Sequence, residues 1–190
     1  DEYIWMGTEE HGLFRLNKKH ELVHLLPQGN ISNIFKDSTG KVWIGTWEQG
    51  VYLINGTSIS NFKHSENDPA SISSNFARNF CEDKEGNIWI GSATGLLMCK
   101  GNFKEPEEIE FQRYCRISGN ANSLSNNDVH NIYFTRKGEM YVATFGGGLN
   151  KLLSLESAEA RFQAYTMKNG LPSDVLLSIE EDPHSNLWCA

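Results

Sequence analysis

The chain lacks any apolar run near the ~20 residues that a membrane-spanning helix needs. Its opening, Asp1-Glu2-Tyr3-Ile4-Trp5, has none of the character of a signal peptide. Basic residues are few: 17 Lys plus Arg face 24 Asp plus Glu, for a formal net charge of −7. A surface that neutralises phosphates needs a basic face, so this balance argues against nucleic-acid contact. Proline is scarce, at 5 in 190 residues, which leaves little room for rigid linkers. Helical periodicity is absent almost throughout. What the chain does have is aromatic residues and glycine. Five Trp, ten Phe and six Tyr supply far more core than a solvated tail carries, which excludes disorder. Seventeen Gly suit a chain with many tight turns. By length alone this is one ordinary globular unit.

Self-similarity changes that reading. Lys41-Val42-Trp43-Ile44-Gly45-Thr46 recurs as Asn87-Ile88-Trp89-Ile90-Gly91-Ser92 and as Tyr3-Ile4-Trp5-Met6-Gly7-Thr8. Looser copies are Glu139-Met140-Tyr141-Val142-Ala143-Thr144 and Asn186-Leu187-Trp188-Cys189-Ala190. The anchor aromatics stand at 5, 43, 89, 141 and 188, at intervals of 38, 46, 52 and 47. Nine residues before an anchor stands Ile34, Phe80, Ile132 or Ile179. Six before it stands Asp37, Asp83, Thr135 or Asp182, and three before it Gly40, Gly86, Gly138 or Ser185. Asp followed by Gly between two apolar runs is hairpin chemistry: the carboxylate bonds turn amides and Gly accepts positive φ. After the anchor, Gly12, Gly50, Gly95 and Gly148 each open another short apolar run. A fourth stretch carries Phe62, Phe111 or Phe162.

Each period therefore reads as four short strands, in the second copy about Ile31–Lys36, Lys41–Thr46, Gly50–Asn55 and Ser58–His64. Leu152–Ala160 reads as a loop or single turn between the third and fourth strands of its copy. Four strands per 40–50 residues is the period of a β-propeller blade. Val42-Trp43-Ile44 is apolar on consecutive positions, so both faces of that strand must be buried, as they are between two neighbouring blades. A sandwich of about sixteen strands would not explain a Trp that recurs in one register. The expected fold is all-β, a partial β-propeller of about four four-stranded antiparallel blades, with repeat units near 1–28, 29–74, 75–126, 127–173 and an incomplete 174–190. A four-blade ring closed on this chain would leave two competing second strands at its seam, so a piece of a larger propeller is expected.

Among propeller repeats, a Trp-Asp ending and a recurrent kelch glycine run are both absent. The string that fits is Asn127-Asp128-Val129-His130-Asn131-Ile132, then Gly138, the anchor, Ala143-Thr144 and Gly147-Gly148-Leu149. Ahead of it stands a polar loop ending in Ser123-Leu124-Ser125, echoed by Asp68-Pro69-Ala70-Ser71-Ile72-Ser73-Ser74-Asn75 and by Gly170-Leu171-Pro172-Ser173-Asp174. This resembles the two-component regulator propeller repeat, over essentially the whole chain. The first copy departs most, with Pro27-Gln28-Gly29-Asn30 in place of the long loop. The resemblance implies a periplasmic sensor of a hybrid two-component system, mostly known from gut Bacteroidetes. In that family two large propellers precede a β-domain, one membrane helix, a histidine kinase core, a receiver and a DNA-binding domain. Kinase activity, phosphorelay and transcriptional control would then belong to a parent protein, a homodimer, since no kinase or receiver motif stands in this chain.

Catalysis has little to work with. Glu9, Glu10 and Glu48 occupy equivalent loops after the anchor strand and could flank a glycosidic bond, yet nothing pairs them with a fixed partner. The six His (11, 20, 24, 64, 130, 184) show no metal spacing; His20 and His24, read as one strand, project to one face ~13 Å apart. Cys81 and Cys99 fall on strands two apart in one blade, roughly 9–10 Å and beyond disulfide reach, while Cys115 and Cys189 fall elsewhere. Asn55-Gly56-Thr57 fits a glycosylation acceptor but is a hairpin turn first. No cofactor, metal or catalytic residue is expected.

Binding fits better. Propeller ligands meet the face that carries the loops before the first strand and after the second. Those loops hold Asn75, Arg78, Asn127, His130 and Asp174 on one side, and Trp47, Glu48, Gln49, Phe145 and His11 on the other. The ligand-binding candidates are Trp47, Glu48, Gln49, Asn75, Arg78, Asn127, His130 and Phe145. Aromatic faces beside amide, guanidinium and carboxylate groups suit a sugar, whose apolar face stacks while its hydroxyls take directed bonds. The plain alternative is that Trp47 and Phe145 pack on a neighbouring blade. Three functions follow: a non-catalytic glycan-sensing segment, a protein-binding or dimerisation module, and a carbohydrate-active enzyme on a propeller scaffold.

Overall fold

The computed structural model describes residues 3–156 and 159–190. Five antiparallel sheets follow one another along the chain, each a meander of sequence neighbours. The first contains β1 (Ile4–Gly7), β2 (Leu13–Leu16) and β3 (Leu22–Leu26). The second contains β4 (Ile31–Lys36), β5 (Val42–Thr46), β6 (Val51–Asn55) and β7 (Ser58–Phe62). The third contains β8 (Ala77–Glu82), β9 (Ile88–Ser92), β10 (Gly95–Cys99) and β11 (Gln112–Tyr114). The fourth contains β12 (Val129–Phe134), β13 (Met140–Thr144), β14 (Gly148–Glu156) and β15 (Glu159–Tyr165), and the fifth β16 (Ile179–Glu181) and β17 (Leu187–Cys189). Strands β4, β8, β12 and β16 pack side by side, and the sheets fan out from them as propeller blades in an open arc.

Every residue of β5 and of β9 is buried, as the consecutive apolar positions require. The cores lie between sheets. Trp43, Leu53, Phe80 and Ile90 meet between the second and third, Trp89, Leu96, Ile132 and Val142 between the third and fourth. A blade has no interior of its own and is stable only against its neighbours.

The turn after each inner strand repeats one arrangement. In the second sheet Asp37 Oδ1 accepts the amides of Thr39 (3.0 Å) and Lys41 (2.9 Å), and Oδ2 accepts Trp43 Nε1 at 3.0 Å. Asp83 does the same for Glu85, Asn87 and Trp89, and Asp182 for His184, Asn186 and Trp188. In the fourth sheet Thr135 stands in the Asp position; its Oγ1 takes only the Glu139 amide, and the anchor is Tyr141. The opposite end is closed by a hydroxyl: Thr8, Thr46, Ser92 and Thr144 each donate to the carbonyl of the glycine that opens the next strand. Gly50 has φ +81°, and a Cβ there would lie 2.0 Å from the Phe62 carbonyl oxygen, so no other residue fits without displacing backbone.

Two expectations need correction. Leu152–Ala160 is not a loop: its described part continues β14 and β15 as a long hairpin, pairing Leu155 with Ala160 and Glu156 with Glu159. Residues 157 and 158 lie outside the described residues. A bulge between Leu152 and Ser154 breaks the alternation that would have marked the strand, and cross-strand pairing overrides the weak β propensity of Ser, Glu and Ala. His20 is not on a strand with His24. It has φ 62° in the turn before β3, while His24 stacks on Phe14 at 4.1 Å.

Replacing Asp37 with Ala leaves the Trp43 indole N–H and two turn amides without their acceptor, and should cost about 2–4 kcal/mol in urea unfolding. The corresponding Thr135→Ala, which removes one acceptor, should cost about 1 kcal/mol or less. Asp182 is held down to about 2, foremost by the Asn186 side chain and amide. Its folded pKa lies below the unfolded value of ~3.9, so its contribution is complete above pH ~4 and is lost as pH falls toward 2. An acid titration of Asp182→Asn against the parent chain reads that difference.

Candidate functional site

Three positions of the repeat meet at the inner rim of one face. Two flank the first residue of the inner strand, thirteen and eleven before the anchor: Asn30 and Ser32, Phe76 and Arg78, Asp128 and His130. The third lies four after the anchor, past the buried end of the second strand: Glu9, Trp47, Ala93 and Phe145. The intervening Ala77 and Val129 are buried, and a register shift follows each, at Arg78 and His130.

Together they form a continuous strip across three sheets. The Trp47 ring lies 5.1 Å from Phe76, and the Arg78 guanidinium covers Phe76 at 4.9 Å. Arg78 Nη1 pairs with Asp128 Oδ1 across the gap between the third and fourth sheets, and both atoms are buried. His130 Nε2 stands 3.7 Å from the same carboxylate oxygen, and its ring stacks on Phe145 at 5.5 Å. The ends of the strip are open, with Trp47 52% and Phe145 50% exposed. Beyond Trp47 the rim continues into a cleft of about 450 Å³ lined by Glu9, Glu10, Asn30, Ile31, Ser32 and Trp47. Burial, followed by the nearby Arg78 charge, lowers the His130 pKa, so the ring is neutral at pH 7.

Of the residues singled out by sequence, the strip brings together Trp47, Arg78, His130 and Phe145. Glu48 is exposed on the loop beside Trp47 and does not line the cleft. Gln49 turns away: its Oε1 accepts the Tyr52 hydroxyl at 3.0 Å and lies under Gly29. Asn75, Asn127 and Asp174 do one shared job. Their side-chain oxygens accept the amides of His64 (2.8 Å), Arg116 (2.6 Å) and Met167 (2.6 Å), pinning the long loop to the start of the next inner strand. His11 hands its carbonyl to His24 Nε2 at 2.7 Å. Phe76 and Asp128 were not among the candidates, although each stands two residues before one, just ahead of the inner strand.

No group of three or more His, Cys, Asp or Glu able to hold a metal occurs among the described residues. The four cysteines are unpaired. Burial raises the thiol pKa of Cys99 to about 12, which makes it a core residue rather than a nucleophile.

Residues 25–48, 71–94 and 123–146 match the family model described as the two component regulator propeller. The chain is similar to an extracellular domain assigned to a hybrid two component system from B. thetaiotaomicron, with 25% identity and a TM-score of 0.75 over 98% of this chain and 24% of that one. It is similar in fold to PorZ, a surface component of the type-IX secretion system of Porphyromonas gingivalis, at 18% identity and a TM-score of 0.75, over 98% of this chain and 29% of that one. Virginiamycin B lyase from Staphylococcus aureus shares the fold at 13% identity and a TM-score of 0.66, over 98% of this chain and 62% of that one. The chain thus spans about a quarter of the length of the first of these. No curated protein matches it.

An NMR titration should place the His130 midpoint below the ordinary histidine value, and Arg78→Met, which removes the neighbouring charge, should move it up. A midpoint that ignores Arg78→Met would mean that burial alone sets it.

Proposed function

We propose, from the premise that this chain carries two component regulator propeller repeats, that it is a non-catalytic ligand-sensing segment in the periplasmic part of a hybrid two-component sensor. Its ligand is an oligosaccharide bound along the strip from Trp47 to Phe145. Phosphorelay and transcriptional control follow in other domains of a dimeric parent. One observation carries the reading: two half-exposed rings, Trp47 and Phe145, bracket a polar centre of Arg78, Asp128 and His130. A pyranose offers an apolar face for each ring and hydroxyls for the centre. Trp47 packs in part on Phe76 of the next blade, yet both rings stay half-exposed on the rim, which leaves ring surface for a ligand. The hybrid-system assignment of the B. thetaiotaomicron domain supports the sensor reading. No helix among the described residues is long and apolar enough to cross a membrane.

Calorimetry of the complete ectodomain against an oligosaccharide panel tests this. At least one glycan should bind, and Trp47→Ala or Phe145→Ala should each weaken it about tenfold or more, the loss of one stacked ring. No heat with any glycan sinks the reading. Product release during incubation would favour an enzyme instead, and intact affinity in both variants would move the ligand elsewhere.

A further inference from the structure

We infer that Asp128 sets the charge class of the ligand: the strip accepts an uncharged oligosaccharide and rejects its carboxylated counterpart. This rests on the glycan reading above. Arg78 is the one cation in the strip, and an unpaired guanidinium there would invite a sugar carboxylate through a bidentate contact. It is not unpaired. Its Nη1 is committed to Asp128 Oδ1, and both atoms are buried. An incoming carboxylate either takes Nη1 from Asp128, uncovering the buried Oδ1, or binds another edge of a guanidinium whose charge Asp128 already offsets; both place it beside a second anion. His130 adds no standing charge that would draw an anion, since burial and then the Arg78 charge lower its pKa. Arg78 and Asp128 cancel, and the centre of the strip carries no net charge.

The open end carries the same sign preference by a separate route. Glu9 and Glu10 line the cleft of about 450 Å³ beside Trp47, with Asn30 and Ser32 as the other polar side chains and no cation among the described residues of its walls. A glycan running past Trp47 into that cleft meets hydroxyl-compatible groups and negative potential together. An uncharged sugar loses nothing there, and a uronate is repelled.

The test is a matched pair of probes: a neutral oligosaccharide that the ectodomain binds, and the same oligosaccharide oxidised at its terminal C6 to the uronate. By calorimetry the uronate should bind about tenfold or more weakly than the neutral form, with the gap narrowing as salt rises. Asp128→Asn frees Arg78 and should narrow or invert that ratio by about tenfold. Should Asp128→Asn not fold, the exposed-loop double variant Glu9→Gln with Glu10→Gln should narrow the ratio about two- to threefold. A uronate that binds the parent protein as tightly as the neutral form overturns the inference while leaving the glycan reading standing. A ratio that no variant changes overturns it equally. Silence toward both classes removes the glycan reading and this inference with it.

Discussion

The carboxylate-to-indole bond six residues apart is what the rest of the molecule depends on. One Asp side chain satisfies two turn amides and the Trp N–H at once, so the hairpin turn and the orientation of the ring are fixed together. The same bond forms whether the ring is enclosed or not. Trp43 is 0% exposed and Trp188 is 66% exposed, yet each reaches its Asp at about the same distance, 3.0 and 3.1 Å. The arrangement is therefore local in origin and precedes packing. It matters for packing because a blade buries nothing by itself; the oriented ring supplies the surface that the next sheet covers. Where Thr135 replaces Asp, the anchor changes to Tyr141, whose half-buried ring needs no buried acceptor for an indole N–H.

Fixing the turns at one end of every blade leaves the other end to vary. There the repeat divides its positions by task. The hydroxyl of Thr8, Thr46, Ser92 or Thr144 always closes onto the following glycine, and Asn75, Asn127 or Asp174 always anchors a long loop. Between these constants stand positions with no fixed chemistry. Glu9, Trp47, Ala93 and Phe145 are equivalent, as are Ser32, Arg78 and His130. A scaffold that repeats its structural residues and diversifies its rim is built to present a different surface at each blade.

That division explains how far the sequence could be read. Second-strand anchors, Asp-Gly turns and strand limits were legible because each is a short-range constraint repeated several times. Amides such as Asn75 and Asn127 look like ligand groups one at a time, but their recurrence in every long loop is the mark of scaffold. Phe76 and Asp128 went unread for the opposite reason: neither recurs, and their importance arises only when neighbouring sheets bring Phe76 under Arg78 and Arg78 against Asp128. The long hairpin of β14 and β15 was hidden by its bulge, which shifts the alternation on which a strand is recognised.

The ties between sheets decide what a ligand on the rim could do mechanically. On the turn end, Ser38 bonds Glu82 of the next sheet through its amide at 2.7 Å, and the Arg136 amide bonds Glu181 at 2.8 Å. On the inner strands, the Ser32 hydroxyl reaches the Ala77 carbonyl, and Asn79 accepts the Ile132 amide at 3.0 Å. Sheets are thus held at the turns and along the axis, and at the rim by the Arg78–Asp128 pair between the third and fourth and by backbone contacts such as Gly50 N–H to the Asn75 carbonyl and the Phe145–Val175 bridge. A molecule lying across Trp47, Arg78 and Phe145 touches the second, third and fourth sheets at once. Its contacts favour one spacing of the blades over another. By that difference in affinity, and by no more than that, occupancy of the rim becomes a change in the arc.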